Sequence, residues 1–383
     1  MTAATCDAEG RPLFTAVRND CTLEAAQMEA SSVDLIHTSI PFGTQYEYCE
    51  SYHDFGHNDD NDGFFQQMDH LIPNLLRILK PGRIAAIHVK DRIRFGNVTG
   101  LGMPTVDRFS DKTADRFEAH GFAFVGRIVV TTDVVRENNQ TYRLGWSEMC
   151  KDGTKMGVGM PEYVLLFRKL PTDTSTSYAD EPIARSKEGY TRAQWQIDAH
   201  AHWRSSGNRL LRPEELASMS MDAVRSWYQQ YSDANVYDYA EHVEMGRALE
   251  ERGHLPASFM LFEPSSHLDS EHGGVWTDVS RMRTLNSQQT RKRQENHVCP
   301  LQLDIVERII RRFSAEGELV YDPFGGLGTV PYVALQMGRR GAMTELNEEY
   351  FQMAVGYLRT AEAKRAMPTL FDAVPEASTA EAA

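Results

Sequence analysis

The sequence predicts an α/β protein with a doubly wound, mostly parallel sheet and an inserted, largely helical domain. Segments with the pattern of buried strands alternate with segments of helical spacing in two separate parts of the chain. Between these parts lies a polar stretch rich in Trp, Tyr, His and Ser, whose only regular patterns are helical. A glycine-rich turn follows one of the last strands. Such alternation favours a parallel sheet that helices cover on both faces.

The first part, residues 1–170, is predicted to form the N-terminal part of the core. In chain order its elements are a strand at 33–38, a helix at 62–79, a strand at 83–89, a helix at 110–120, and strands at 123–130 and 162–167. Asp62 is the predicted N-cap of the first helix, and Lys80-Pro81-Gly82 is its predicted stop. The His, Asn and Asp residues at 57–62 lack the spacing of an EF-hand, so helix capping explains them better than a metal site does.

The second part, residues 276–366, is predicted to complete the core. Its elements are a helix at 301–314, a strand at 319–321, a helix at 329–337, a strand at 341–345 and a helix at 348–365. Residues 171–275, which we call the insert, begin with a polar linker and contain helical patterns at 213–228 and 233–252. The tail at 367–383 is rich in Ala, Glu, Pro and Ser and is predicted to be disordered.

The composition excludes several classes of protein. Hydrophobic residues make up 41% of the 383 residues, and the mean hydropathy is −0.46. No apolar run approaches the roughly 18 residues that cross a membrane. The N-terminus shows no basic and apolar signal segment, and the five cysteines form no CxxC pair. The sequence therefore predicts a cytoplasmic protein with no membrane partner and no metal site.

The net charge of −14 speaks against a polyanionic partner, but the charge is unevenly distributed. Residues 1–70 carry two basic and thirteen acidic side chains, whereas residues 276–312 carry eight basic and four acidic ones. Within the second stretch the basic residues cluster at Arg281, Arg283, Arg291, Lys292 and Arg293. This basic cluster is either a solvated surface or a set of phosphate contacts, and the second interpretation predicts salt-sensitive binding to DNA.

The glycine-rich turn carries the strongest functional signal. The strand at 319–321 leads into Asp322, and Gly326 and Gly328 follow before the next helix. Glycines let a backbone approach a ligand closely, and open α/β sheets bind cofactors at the carboxyl ends of their strands. Glu345 ends the next strand, where it can accept hydrogen bonds from ribose hydroxyls. This unit predicts a cofactor that contains adenosine.

The motifs that are missing narrow the choice of cofactor. The chain contains no GxxxxGK[ST] motif for a nucleoside triphosphate and no complete GxGxxG motif for a dinucleotide. S-Adenosylmethionine carries adenosine but no pyrophosphate, and it remains as the candidate.

A second motif lies at the end of the first predicted strand, where residues 39–42 read Ser-Ile-Pro-Phe. Together with the turn at 322–329 and Glu345, this tetrad resembles the amino-methyltransferases of DNA, which carry a [D/N/S]-P-P-[Y/F/W] tetrad and an F-x-G-x-G motif. The tetrad comes before the cofactor motif, an order that resembles the permuted β class of N4-cytosine and N6-adenine enzymes. The stretch around His297 resembles the segment that precedes the glycine motif in that class. The resemblance covers roughly residues 19–170 and 276–360.

The resemblance implies a Rossmann-like methyltransferase that acts on DNA, with a homodimer and a restriction–modification system as candidate settings. It implies that Ser39, Pro41 and Phe42 hold and activate a flipped-out base, and that the insert recognises the target. The residues that it implies for binding S-adenosylmethionine are Asp322, Phe324, Gly326, Gly328, Thr329, Glu345 and His297.

The chemistry of exocyclic amines explains why methyl transfer to them needs the residues of the tetrad. An exocyclic amine is a poor nucleophile because its lone pair is delocalised into the base. Hydrogen bonds from its N–H groups to the Ser39 hydroxyl and to a backbone carbonyl of the Ile40-Pro41 turn would favour a pyramidal nitrogen with an available lone pair. Phe42 offers a flat apolar face for stacking. Methylation at C5 of cytosine instead needs a cysteine nucleophile, usually in a Pro-Cys pair, and the chain has no such pair.

Two departures from the tetrad leave alternatives open. Ile40 stands where the family has the first proline, which loosens the turn, and Ser39 stands where adenine enzymes commonly have an acid, which favours N4-cytosine. RNA or protein methylation is one alternative function, although those relatives usually place the cofactor motif first. A non-catalytic protein that binds DNA or S-adenosylmethionine is another. The insert carries nine basic and seventeen acidic side chains, so a helical packing module competes with target recognition.

Overall fold

The computed structural model divides into two compact units, one formed by Met1–Ile183 and Asp278–Ala383 and the other by Ala184–Thr277. The described residues are 1–7, 9–41, 43, 47–58, 60–131, 146–152, 154, 160–184, 201–203, 218–220, 222–223, 226, 259–261, 274–285 and 301–366. The helical patterns of the insert lie almost entirely outside them, as does the tail. The sequence-based boundaries of the insert and its helical character therefore stay predictions.

The secondary structure elements are numbered in chain order. The strands are β1 (Thr2–Cys6), β2 (Pro12–Arg18), β3 (Val33–Ser39), β4 (Leu79–Lys90), β5 (Arg92–Arg94), β6 (Thr105–Asp107), β7 (Ala123–Val130), β8 (Glu162–Arg168), β9 (Ala201–Trp203), β10 (Phe259–Leu261), β11 (Val275–Trp276), β12 (Leu319–Asp322) and β13 (Arg340–Glu345). The helices are α1 (Cys21–Gln27), α2 (Asn61–Ile78), α3 (Gly96–Thr99), α4 (Phe109–Ala119), α5 (Trp146–Lys151), α6 (Leu303–Phe313), α7 (Thr329–Gln336) and α8 (Glu348–Ala366).

Eight strands of the larger unit lie side by side in the order β1-β2-β13-β12-β3-β4-β8-β7. The five strands from β2 to β4 run parallel, whereas β1, β7 and β8 pair antiparallel with their neighbours. The predicted α/β class and mostly parallel sheet are confirmed. The alternation did not predict the direction of β8, which runs antiparallel between β4 and β7 and fills the gap between these two strands.

Helices cover both faces of this sheet. On one face α1, α2 and α4 pack over a core that includes Ile36, Ile87 and Phe117. Successive side chains of a strand point to opposite faces, so Leu35 and Val320 belong to the other face, where α6, α7 and α8 pack against one another. Burial on both faces explains why the central strands read as nearly continuous apolar runs.

Helix α2 differs at both ends from its prediction. Its N-cap is Asp60, whose side chain accepts a hydrogen bond from Gly63 N at 2.8 Å, and not Asp62. Asp62 lies in the first turn, where its charge faces the positive end of the helix dipole. The predicted stop at Lys80-Pro81-Gly82 lies inside β4, because α2 passes into that strand without a linker.

The structure also contains elements that the sequence did not predict, among them β1, β2, α1 and the antiparallel pair β5–β6. Strand β2 matters for function because it pairs in parallel with β13. Asn19 and Asp20 consequently follow a carboxyl end at the same edge of the sheet as Glu345. No helix within the described part of the chain is long and apolar enough to cross a lipid bilayer.

Candidate functional site

A cavity opens at the carboxyl edge of the parallel strands. Residues that follow β2, β3, β12 and β13 line it, and its empty volume, including the part open to solvent, is about 980 Å³. Strands β3 and β12 are neighbours in the sheet. The chain continues from β3 to β4 on one side of this pair and from β12 to β13 on the other side, so the strand order reverses between β3 and β12. Open α/β sheets bind their ligands at such a reversal.

Asp322 ends β12 beside this cavity and is buried. Its Oδ1 accepts hydrogen bonds from Thr38 Oγ1 at 2.6 Å and from Phe324 N at 3.0 Å. Burial raises the pKa of Asp322 to about 7, although the two hydrogen bonds oppose the rise. Asp322 therefore ties β12 to β3 and can change its charge near neutral pH.

The turn after Asp322 depends on glycine for its backbone conformation. Gly326 and Gly328 have φ angles of 53° and 77°, in the left-handed region that glycine adopts without steric cost. Gly326 N donates to Glu345 Oε2 at 2.7 Å, and Gly325 N donates to Thr344 O at 2.8 Å. These bonds attach the turn to the end of β13 and bring the predicted cofactor residues together.

We expect Gly328→Ala to destabilise the protein. Gly328 is the N-cap of α7, and an added Cβ would lie 3.1 Å from Ala354 Cβ. The left-handed conformation costs a residue with a Cβ about 1–2 kcal/mol, so the free energy of unfolding in urea should fall by about that amount.

Gly356→Ala is the matched control for this prediction. Gly356 lies within α8, and no atom outside its two chain neighbours and the backbone of its own helix lies within 4 Å of an added Cβ. Alanine there should leave the unfolding free energy unchanged or raise it by up to about 1 kcal/mol. Unfolding free energies that are equal for the Gly328 variant and the wild type would contradict the requirement for glycine.

Glu345 ends β13 on the same side of the cavity. Its second carboxylate oxygen accepts a hydrogen bond from Asn347 N at 2.7 Å. Burial raises the pKa of Glu345 to about 7, against the effect of its backbone hydrogen bonds. Together with Asp20, Asp54 and Asp322, it gives the cavity four carboxyl groups, and its described lining includes no Lys or Arg.

Ser39 and the residues after it form the other side of the cavity. Ile40 and Pro41 line it, and Ile40 N donates to His88 O at 3.3 Å. The Ile40 side chain is buried in the apolar core under α2. A proline at this position would have no N–H to donate. Ile40 therefore fixes the turn through its backbone hydrogen bond and its buried side chain, whereas a proline would fix it through its rigid ring.

The Ser39 hydroxyl begins a chain of polar contacts between strands. Ser39 Oγ lies 2.9 Å from His88 Nδ1, and His88 Nε2 lies 3.1 Å from Glu162 Oε2. Arg281 donates to both oxygens of Glu162, at 2.7 and 2.8 Å. Burial opposes ionisation of Glu162, but the hydrogen bonds from His88 and Arg281 and the charge of Arg281 outweigh it and hold the pKa of Glu162 well below its ordinary value.

The structure brings most of the predicted site residues to one place. Those that line the cavity are Ser39, Pro41, Asp322, Phe324, Gly326, Thr329 and Glu345. Gly328 does not line the cavity, and its left-handed backbone conformation shapes the turn that does. Phe42 and His297 lie outside the described residues. The Phe324 ring packs edge-to-face on Phe55, with ring centroids 5.1 Å apart, which extends the apolar wall of the cavity.

Sequence reasoning missed Asp20 and Asp54. Asp20 Oδ2 lies 2.6 Å from His53 Nδ1. Asp54 accepts hydrogen bonds from three backbone N–H groups of its own loop, at 2.5, 2.7 and 2.8 Å, and so fixes that loop against the cavity. Asp20 comes two residues after the end of β2, at the edge of the sheet where Asp322 and Glu345 end their strands, so recognising β2 would have identified it. No comparable signal marked Asp54.

The described arginines of the basic cluster are engaged within the protein. Arg281 pairs with Glu162, and Arg283 forms ion pairs with two carboxylates of α6. The other members of the cluster, Arg291, Lys292 and Arg293, lie outside the described residues. Phosphate contact by these three stays a prediction, whereas Arg281 and Arg283 have partners that compete with phosphate.

The sheet and its acidic cavity define a doubly wound α/β protein, a class in which ligands bind where the strand order reverses. Over residues 33–356 the chain matches the family model of the N6/N4 DNA methylases, described as DNA methylase. This match includes both motifs and most of the chain. The protein belongs to the N6/N4 DNA methylase family.

Similar curated proteins include the DNA adenine methyltransferase YhdJ of Escherichia coli (strain K12), with 36% identity over 89 residues. The type II methyltransferase M1.MboII of Moraxella bovis is 41% identical over 58 residues. The alignments cover 23% and 15% of this chain, and the chain spans only 28% and 22% of the lengths of these two relatives.

Two solved structures are similar over greater lengths. TTHA0409 of Thermus thermophilus, in complex with S-adenosyl-L-methionine, is 18% identical with a TM-score of 0.49, over 90% of this chain and 93% of that chain. The cytosine-N4-specific PvuII DNA methyltransferase is 13% identical with a TM-score of 0.48, over 93% and 87% of the two chains.

Proposed function

We propose that the protein transfers a methyl group from S-adenosylmethionine to the exocyclic amino group of a base in DNA. The observation that carries this proposal is the common cavity into which both the Ser39 turn and the Asp322 turn open. Methyl donor and acceptor must approach within van der Waals contact, so the two motifs need a common space. Membership of the family supports DNA as the acceptor.

The charges of the cavity fit S-adenosylmethionine. This cofactor carries a positive sulfonium and a positive ammonium, whereas nucleoside triphosphates and dinucleotides carry negative phosphates. Carboxyl groups without Lys or Arg, as in the described lining, attract the first kind of ligand and repel the second.

We assign the cofactor to the side of the cavity formed by β12 and β13. Glu345 already accepts two N–H groups at the end of its strand, and ribose hydroxyls are donors of the same kind. Asp322 provides a negative charge for the cationic part of the cofactor. Phe324 and Thr329 provide wall contacts, and Gly326 leaves room for close approach to the backbone.

The target base belongs on the Ser39 side. The Ser39 hydroxyl and a carbonyl of the Ile40-Pro41 turn would accept the two N–H groups of the amine, which frees its lone pair. Phe42 would stack on the base. S-Adenosylmethionine supplies an already activated methyl group, so the protein needs to bind, orient and desolvate the amine and provides no nucleophile of its own. Ser39 favours N4 of cytosine over N6 of adenine.

The insert is our candidate for target recognition. Its sequence mixes aromatic and basic residues of the kind that contact bases and phosphates. Point substitutions test this role without shortening the chain. Trp195→Ala and Arg204→Ala should lower binding of DNA without changing binding of S-adenosylmethionine.

Binding of S-adenosylmethionine should tighten as the pH rises from 6 to 8. The pKa values of Asp322 and Glu345 are raised to about 7 by burial, so both carboxyls are mostly protonated at pH 6 in the free protein. Protons then compete with a cationic ligand, and each carboxyl contributes up to about tenfold to Kd over this range. Calorimetric titrations at pH 6, 7 and 8 check the trend, and a Kd that does not change with pH would contradict it.

Incubation with tritiated S-adenosylmethionine and three acceptors tests the proposed function. Amplified genomic DNA carries no methylated adenine or cytosine, and total RNA and denatured protein serve as competing acceptors. We expect label in DNA. Label in RNA or protein alone would favour the alternative methyltransferases, and cofactor binding without any transfer would favour a non-catalytic binding protein.

A further inference from the structure

Ser39, His88 and Glu162 form a buried chain of contacts that leads away from the cavity. Ser39 lies opposite His88 in the parallel pair β3–β4, and Glu162 lies on β8, the antiparallel neighbour of β4. His88 is 7% exposed and Glu162 is 5% exposed, so the contact between these two side chains is shielded from water. Of the three side chains, only Ser39 lines the cavity.

The direction of each hydrogen bond among Ser39, His88 and Glu162 follows from the state of Glu162, the residue farthest from the cavity. Arg281 occupies both oxygens of Glu162, and an ionised carboxylate can only accept. His88 Nε2 must therefore carry a hydrogen and donate it to Glu162. In the neutral ring Nδ1 is then an acceptor, and the Ser39 hydroxyl donates to it. Both lone pairs of Ser39 Oγ remain available on the side of the cavity.

We propose that His88 is a positioning residue that holds the Ser39 hydroxyl as a hydrogen-bond acceptor for the amine of the target base. The inference rests on the proposed function and deepens it, because it explains how serine can replace an acid in the tetrad. A free hydroxyl rotates and can donate to the amine nitrogen, which would occupy the lone pair that must attack the methyl group. A hydroxyl whose hydrogen is bound to His88 can only accept from the amine.

Two variants of His88 separate positioning from packing. Asparagine places an acceptor near the position of Nδ1, so His88→Asn keeps the contact to Ser39. Glutamine places a donor near the position of Nε2, so His88→Gln keeps the contact to Glu162 and loses the one to Ser39. We expect the glutamine variant to lower kcat by about 10- to 100-fold and the asparagine variant by less than about fivefold, with the KM for S-adenosylmethionine unchanged in both.

A double variant gives a second kinetic readout. If His88 acts through Ser39, the Ser39→Ala/His88→Gln protein should be no slower than Ser39→Ala alone, whereas independent effects would multiply. His37→Asn is the matched control for loss of a buried histidine, because His37 Nδ1 contacts the backbone oxygen of Ala86 instead of a side chain. Its transfer rate should equal that of the wild type.

Nuclear magnetic resonance of ¹⁵N-labelled histidine tests the geometry without any turnover. We expect His88 as the Nε2–H tautomer, with an Nδ1 signal that moves in the Ser39→Ala protein. An Nδ1–H tautomer, equal losses in the asparagine and glutamine variants, or multiplied effects in the double variant would overturn the inference alone. A wild-type protein that labels no DNA would overturn the proposed function, and the role of His88 with it.

Discussion

Asp322→Asn is expected to weaken binding of S-adenosylmethionine by roughly 30- to 100-fold while the fold stays at least as stable. A charge-assisted contact contributes about 2–3 kcal/mol, and each 1.4 kcal/mol is about tenfold in Kd. Both hydrogen bonds of Asp322 end on Oδ1, which asparagine retains as an amide oxygen. Calorimetric titration with the cofactor and thermal unfolding at pH 8 measure the two effects.

Ionisation of the buried Asp322 carboxyl opposes folding. Burial raises the pKa of Asp322 in the folded protein to about 7, above the value of an unfolded chain. The folded state therefore binds the proton more tightly, and ionisation costs stability that grows as the pH rises from about 4 to about 7. Asparagine removes that cost, so its melting temperature at pH 8 should equal or exceed that of the wild type.

Asp34→Asn is the matched control for the loss of a buried carboxylate. Asp34 lies at the start of β3, at the far end of the sheet from the cavity, where it contacts Lys80 Nζ at 2.9 Å and Leu319 N at 2.8 Å. Its variant should lose stability and bind the cofactor normally. Equal cofactor affinities for the Asp322 variant and the wild type would remove Asp322 from the cofactor site.

Ser39→Ala is expected to lower kcat by about 100- to 1000-fold with little change in the KM for S-adenosylmethionine. The hydroxyl contacts the amine and not the cofactor, and removing one oriented polar group from the reacting atoms costs about this much in other enzymes. Alanine also leaves the acceptor of His88 without its donor. Initial rates of tritium transfer to DNA, measured over a range of cofactor concentrations, separate kcat from KM.

Ser110→Ala controls for the loss of a buried hydroxyl elsewhere. Ser110 lies in the first turn of α4, outside the cavity, and is 1% exposed. Its variant should transfer methyl groups at the rate of the wild type. A Ser39 variant with full kcat would show that the tetrad does not act on the amine.

The sequence predicted the central elements because each one has a characteristic pattern of apolar residues within its own segment. Helix α2 has apolar residues at helical spacing, and β7 and β8 were found within one residue of their ends. Strand β1 was missed because it is a polar edge strand without a buried side chain, and β2 because it begins with a proline. The N-cap of α2 was misplaced because Asp60 and Asp62 both precede the apolar residues of the helix, as an N-cap aspartate does.

Part of the candidate site could be predicted for the same reason. The glycine turn and the tetrad are continuous motifs, so Ser39, Asp322 and Glu345 are visible in the sequence. The proximity of these three residues depends on the order of the strands in the sheet. The hydrogen bond between Thr38 and Asp322, for example, joins residues 284 positions apart. The contact of Ser39 with His88 likewise depends on the register of β3 against β4, which no local pattern encodes.

Mass spectrometry of nucleosides tests the central claim most directly. DNA without methylated adenine or cytosine is incubated with S-adenosylmethionine that carries a trideuterated methyl group, and the DNA is then digested to nucleosides. Methyl transfer to an exocyclic amine predicts trideuterated N4-methyldeoxycytidine or N6-methyldeoxyadenosine, which should fall sharply with the Ser39→Ala protein. Trideuterated 5-methyldeoxycytidine, or label that appears only in RNA or protein, would contradict the account.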